Sequence, residues 1–185
     1  MSHGLDIGLP PPPRPPVGGV LGALQRAMDL VNLALMRLAM VALVLTALVL
    51  TYSVVSRYFF HAPTDWQDEA SVFMLVGVTF FCTAYVQSQR GHIGIDALAD
   101  YLPPSVNAAR RLLVDVVSCL FCAFFAWKSW TLWYEAWTDG QTTSSTFAPP
   151  LWIPYAMMAA GMSILTAQLL LQAAIGLSRP KGERP

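Results

Sequence analysis

Charge is what this 185-residue chain has least of. Only 12% of its residues are Asp, Glu, Lys or Arg and 55% are hydrophobic, where soluble domains carry roughly 25% charged residues. Much of the folded surface must therefore face an apolar medium, and lipid is the simplest one. Eleven basic and eleven acidic residues leave no net charge, which gives no ground for a nucleic-acid or other polyanionic partner. Cysteine is scarce too. Cys82, Cys119 and Cys122 are odd in number and sit inside apolar runs, so they make no disulfide framework. Cys119 and Cys122 form a C-x-x-C, but Leu120, Phe121, Ala123 and Phe124 around them lack the polar, exposed setting that activates a thiol. They read as small apolar residues.

Catalytic signatures are also missing. The chain has no Gly-rich phosphate loop, no H-E-x-x-H and no nucleophile elbow. Its three histidines, His3, His61 and His92, fall outside the apolar runs, so a bis-histidine haem inside a bundle has no support. Asp65, Asp68 and Glu69 suggest a metal site, but two of them are sequence neighbours that point apart on a helix, and helix capping suits them better. No catalytic residue, cofactor or metal is expected. A self-contained small exporter would need a mid-membrane ionisable residue or an internal repeat, and the first two apolar runs offer neither. A membrane-embedded accessory or scaffold subunit fits best. The exporter and a membrane redox enzyme using Cys119 and Cys122 are its rivals.

What is present is four apolar runs, which predict an all-α membrane protein of four transmembrane helices. Residues 1–19 hold the run Pro10 to Pro16, broken only by Arg14, and read as a polyproline-type or disordered tail. Val20 to Arg37 is amphipathic and suits an interfacial helix leading into the first span. That span, residues 38–56, is uncharged and covers roughly 28 Å as a helix, close to the hydrocarbon thickness. The second span is placed at 70–87, the third at 111–133 and the fourth at 151–177, so the membrane domain is 20–177 and 178–185 is a basic tail. Between the second and third spans, Gly91 to Pro104 predicts a short amphipathic interfacial helix stopped by Pro103-Pro104. The third span contains Asp115, four residues from Arg111 on one helical face, and Lys128. Trp130, Trp133 and Trp137 flank that lysine as an aromatic belt, with Lys128 and Arg37 snorkelling to the headgroups of the membrane lipids.

Orientation follows from the basic residues. Arg14 and Arg26, then Arg90, Arg110 and Arg111, then Arg179, Lys181 and Arg184 fall on one side, and Arg57 alone on the other. The positive-inside rule puts both termini in the cytoplasm. The loop 138–150 and the stretch Ser56 to Glu69 then face outward. That second stretch holds Arg57, Asp65, Asp68 and Glu69 with the amphipathic rings Tyr58 and Trp66, more than a connector needs. Arg57 stands where the topology rule would not put an arginine, so a partner is expected to hold it. Glu69 across the first hairpin is the nearest candidate, a larger membrane partner the other, and ordinary interfacial anchoring the plain alternative. His92 and Asp96 divide evenly between a polar headgroup face and a subunit contact.

These residues carry a resemblance. Arg57-Tyr58 closes the first span, Pro63 follows, and Trp66 and Glu69 open the second. Gly91-His92-Ile93 with Asp96, then Leu102-Pro103, come after it. Pro150, Trp152, Pro154 and Tyr155 lead into the last. In this order and spacing the chain resembles, over about residues 30–177, the small membrane subunit of tripartite ATP-independent periplasmic (TRAP) transporters. The proline-rich tail is the one departure. The resemblance implies a three-part system in the bacterial inner membrane. A periplasmic solute-binding protein captures an organic acid, and a large multi-span membrane subunit moves it by a sodium-driven elevator motion. The small subunit braces the fixed scaffold, with Arg57, Tyr58, Trp66, Glu69, His92 and Asp96 as its clasp or subunit contacts.

Overall fold

The computed structural model describes residues 19–62, 65–89 and 104–178, with the backbone alone for 65, 104–112 and 176–178. Most of the proline-rich tail, the expected interfacial helix with His92 and Asp96, the side chain of Arg111 and nearly all of the basic tail lie outside the described residues.

Four helices form: α1 Gly19–Phe60, α2 Asp65–Ser88, α3 Pro104–Thr138 and α4 Trp152–Ser178. Each is long and apolar enough to cross a membrane. The ends have local causes. Phe60 is followed by His61 in the left-handed region at φ 51°, and Ala62 precedes Pro63, which disfavours helical backbone. α3 stops at Asp139-Gly140: Gly140 takes φ 61°, and the Gln141 amide reaches back to the Ala136 carbonyl at 3.1 Å, the bond of a Schellman stop.

Two helices run past the expected spans. α1 is one helix of 42 residues, about 63 Å long at the α-helical rise, so the amphipathic stretch 20–37 leads into the span without a break. No Gly or Pro occurs between Ala23 and Phe60, and nothing else breaks the hydrogen-bond ladder. α3 begins at Pro104 instead of near Arg111. Proline suits a first helical turn, where its missing N–H has no intrahelical partner to lose, so Pro104 starts a helix where a stop was expected.

α1 buries Asn32, Ala39, Thr46 and Ser53 at seven-residue intervals, with Leu35, Ala42 and Val49 half-buried between them. This three-four spacing is a coiled-coil seam, and its small residues let neighbouring backbones approach, as membrane helix pairs require. The other side of α1, with Val41, Val44, Leu45 and Leu48, is exposed. α4 packs on both α2 and α3, and α2 packs on α1, giving the order α1, α2, α4, α3, with slight contact between α1 and α4. The core lies where α2, α3 and α4 meet, around Ala84, Ala126, Met162, Leu165 and Leu169. Cys119 and Cys122 pack against that cluster, as small apolar residues do. Gly161 marks the tightest approach: a Cβ there would stand 2.7 Å from the Phe80 Cβ and 2.8 Å from its carbonyl.

Candidate functional site

The polar side chains that an apolar bundle can least afford are gathered at its two ends. At one end, Asp68 near the start of α2 receives two donors from α1. The Ser53 hydroxyl donates to Oδ1 at 3.3 Å and Arg57 Nη2 to Oδ2 at 3.0 Å. Ser53 and Arg57 are four residues apart and share one helical face, so a single carboxylate spans both. The side chains of the ion pair are 62% and 54% exposed, and a pair that open contributes little when water covers it. The hairpin partner of Arg57 is therefore Asp68, where Glu69 was expected. Glu69 lies one residue further round α2, about 100° away, and faces elsewhere.

Glu69 binds the α3–α4 loop instead. Thr143 Oγ1 donates to its Oε1 at 2.7 Å and lies 3.2 Å from the Ser145 hydroxyl. The other oxygen, Oε2, is buried and has no hydrogen-bond partner among the described residues. The loop is ordered by its own backbone bonds: Thr143 N–H to the Pro149 carbonyl at 3.1 Å and Leu151 N–H to the Gln141 carbonyl at 2.9 Å. Ala148 sits at φ 47°, and its amide donates to the Ser145 hydroxyl at 3.1 Å. One carboxylate thus joins α2 to the α3–α4 connection. Tyr58 stands 76% exposed, edge-on to Phe59 with ring centroids 5.1 Å apart, and Trp66 is also exposed.

At the other end, four amide side chains tie α1, α2 and α4. Asn32 Nδ2 donates to Gln168 Oε1 at 3.0 Å, with both residues fully buried. Gln87 and Gln172 bond reciprocally: Gln87 Nε2 to Gln172 Oε1 at 3.1 Å, and Gln172 Nε2 to the Gln87 carbonyl at 3.0 Å. Sequence reasoning missed this group, along with Asp68 and Thr143 as partners. Two signals were available: the spacing of Asn32 with Ala39, Thr46 and Ser53, and the four-residue separation of Gln168 and Gln172 in an otherwise apolar span.

The tryptophans form a chain. Trp130 meets Trp133 at 5.3 Å, Trp133 meets Trp137 at 6.1 Å, and Trp137 crosses to Trp152 of α4 at 5.0 Å. Trp130 Nε1 donates to the Ser163 hydroxyl at 3.0 Å. These rings join α3 to α4. Lys128 lies over the Trp127 ring, 4.9 Å from its centroid, and Arg37 is exposed on α1. Among the described residues, no three His, Cys, Asp or Glu side chains converge to hold a metal ion. The arrangement can fix helices against one another.

Residues 46–179 match the family model described as tripartite ATP-independent periplasmic transporters, DctQ component. No curated protein matches the chain.

Proposed function

Because the chain belongs to the DctQ-component family of tripartite ATP-independent periplasmic transporters, a family of transporter components and not of enzymes, we propose that it braces the immobile scaffold of the large membrane subunit. It does so during ion-gradient-driven uptake of an organic acid delivered by the periplasmic binding protein. The coupling ion is read as sodium, the termini as cytoplasmic, and the outer loop 138–150 as part of the surface the binding protein meets.

The observation that carries this reading is the joining of α1, α2 and the outer loop by two adjacent carboxylates, Asp68 to Ser53 and Arg57 and Glu69 to Thr143. Close packing of α2 on α4 at Gly161 and Phe80 adds to it. A brace must resist relative movement of its own helices, and these contacts oppose it at the end that faces the delivered solute. The exposed side of α1 around Val41, Val44, Leu45 and Leu48 is apolar surface that lipid or the larger subunit would cover.

The test is reconstitution of the large subunit and binding protein with and without this chain. The expected result is copurification of the two membrane subunits, with uptake that needs both. Exposed outer-face variants such as Thr142→Lys should lower the rate without separating the subunits. Uptake at the full rate by the large subunit alone would sink the bracing role.

A further inference from the structure

The inner amide group is unevenly satisfied. Asn32 is fully buried and its Nδ2 is used by Gln168, yet its Oδ1 is buried without a hydrogen-bond partner among the described residues. A buried acceptor left unpaired costs about as much as, or more than, one interhelical amide bond returns in a membrane. Otherwise α1 meets α4 only slightly, and its packing partner is α2. Beyond Asn32 towards the N-terminus, α1 exposes Leu24, Leu30 and Val31.

We propose that Asn32 and Gln168 form a poised latch: the inner half of α1 alternates between a closed state bonded to α4 and an open state swung away from it. In the closed state the amide bond is offset by the stranded Oδ1. In the open state both amides reach headgroup water, and Oδ1 gains a donor. Because α1 is one unbroken helix, it tilts as a rod about its outer end, where Asp68 holds Ser53 and Arg57. Gln87 and Gln172, which bond reciprocally, keep α2 on α4 in both states. This goes beyond the bracing role, since a brace fixed throughout would need no such balance.

Distances between spin labels test the latch in the full chain in lipid nanodiscs. With Cys82, Cys119 and Cys122 replaced by alanine, labels go on Leu30→Cys and Leu170→Cys for the inner end, and on Val54→Cys and Phe147→Cys for the outer end. The inner pair should give two distances, the longer one populated to about a tenth, the upper end for a minor state. The outer pair should give one. Adding Asn32→Leu with Gln168→Leu removes the stranded acceptor and both amides, and should shrink the open population about tenfold, since apolar replacement of a half-satisfied polar pair favours the packed state. Gln168→Leu alone should enlarge it. A single inner distance in the otherwise native chain overturns the latch, as does an open population that the double leucine leaves unchanged. Neither readout depends on uptake, so failure here leaves the bracing role standing.

Discussion

Asp68 takes the Arg57 guanidinium across the first hairpin at 3.0 Å, while Glu69 beside it turns to Thr143. Two neighbouring carboxylates therefore do different work, and substitution should separate them. Asp68→Asn should cost at most about 1 kcal/mol, the range for an exposed pair. Arg57→Glu should cost more, because it sets a like charge against Asp68. Combining Arg57→Glu with Asp68→Arg should restore most of the loss, whereas Arg57→Glu with Glu69→Arg should not. Thermal unfolding of the purified chain in detergent reads all four variants. Rescue by the Glu69 swap alone would assign the clasp to the wrong carboxylate.

How far the fold was legible follows from particular residues. The helices announce themselves through uncharged runs such as 38–56, because apolar composition is local. The expected span ends at 56 and 133 fall short of the stops at His61 and Asp139-Gly140. Helix continuity was less legible. Residues 20–37 are amphipathic in isolation, and only the unbroken ladder into the span makes them one helix with it. Partner choice was least legible. Asp68 and Glu69 differ by one position along α2, and that rotation decides which of them meets α1. Asn32 and Gln168 are 136 residues apart, and their meeting depends on α4 lying beside both α1 and α2, which no local pattern specifies.

The Glu69 tie predicts a loop effect. Thr143→Val removes the single hydrogen bond found for the carboxylate, whose Oε2 already lacks one among the described residues. Leaving a part-buried charge so poorly served should cost about 1–3 kcal/mol. Because the bond crosses from the loop to α2, the loss should appear first as faster proteolysis between Gln141 and Leu151. Thr143→Ser keeps the hydroxyl and should cleave at the native rate. Equal cleavage of the valine and serine variants would mean that the threonine methyl, and not the bond, holds the loop.

Two glycines make a paired prediction about close packing. At Gly161 an added Cβ meets the Phe80 Cβ at 2.7 Å and its backbone carbonyl at 2.8 Å. Backbone cannot yield without moving α2 away from α4, so Gly161→Ala should cost about 1–3 kcal/mol, the range for overpacking. At Gly77 the added atom meets the Met157 Sδ at 3.0 Å, the end of a flexible side chain that can rotate aside. Gly77→Ala should therefore cost less than about 1 kcal/mol, helped by alanine's better helix propensity. Thermal midpoints measured side by side give the ranking, and a Gly77 variant worse than the Gly161 variant would contradict the packing described.

The tryptophan chain separates two roles that one residue type can play. Trp130 was expected to anchor α3 at the membrane surface, an effect of its ring and of a wet N–H. Its N–H is instead given to Ser163 of α4 at 3.0 Å, with the Ser163 hydroxyl donating onward to the Ala159 carbonyl at 2.7 Å. Trp130→Phe keeps an aromatic ring and removes the donor, and Ser163→Ala removes the acceptor. If the bond ties the helices, the double variant should lose less than the two single losses added together. The coupling should be about 0.6 kcal/mol and at most about 1.7 kcal/mol, the mean and the maximum for side-chain hydrogen bonds between membrane helices. If Trp130 acts only through headgroup contact, the two losses should add, because Ser163 would then share nothing with the indole. A double-mutant cycle on unfolding in mixed micelles decides between them, and additivity within about 0.3 kcal/mol, the scatter for independent sites, would return Trp130 to the anchoring role alone.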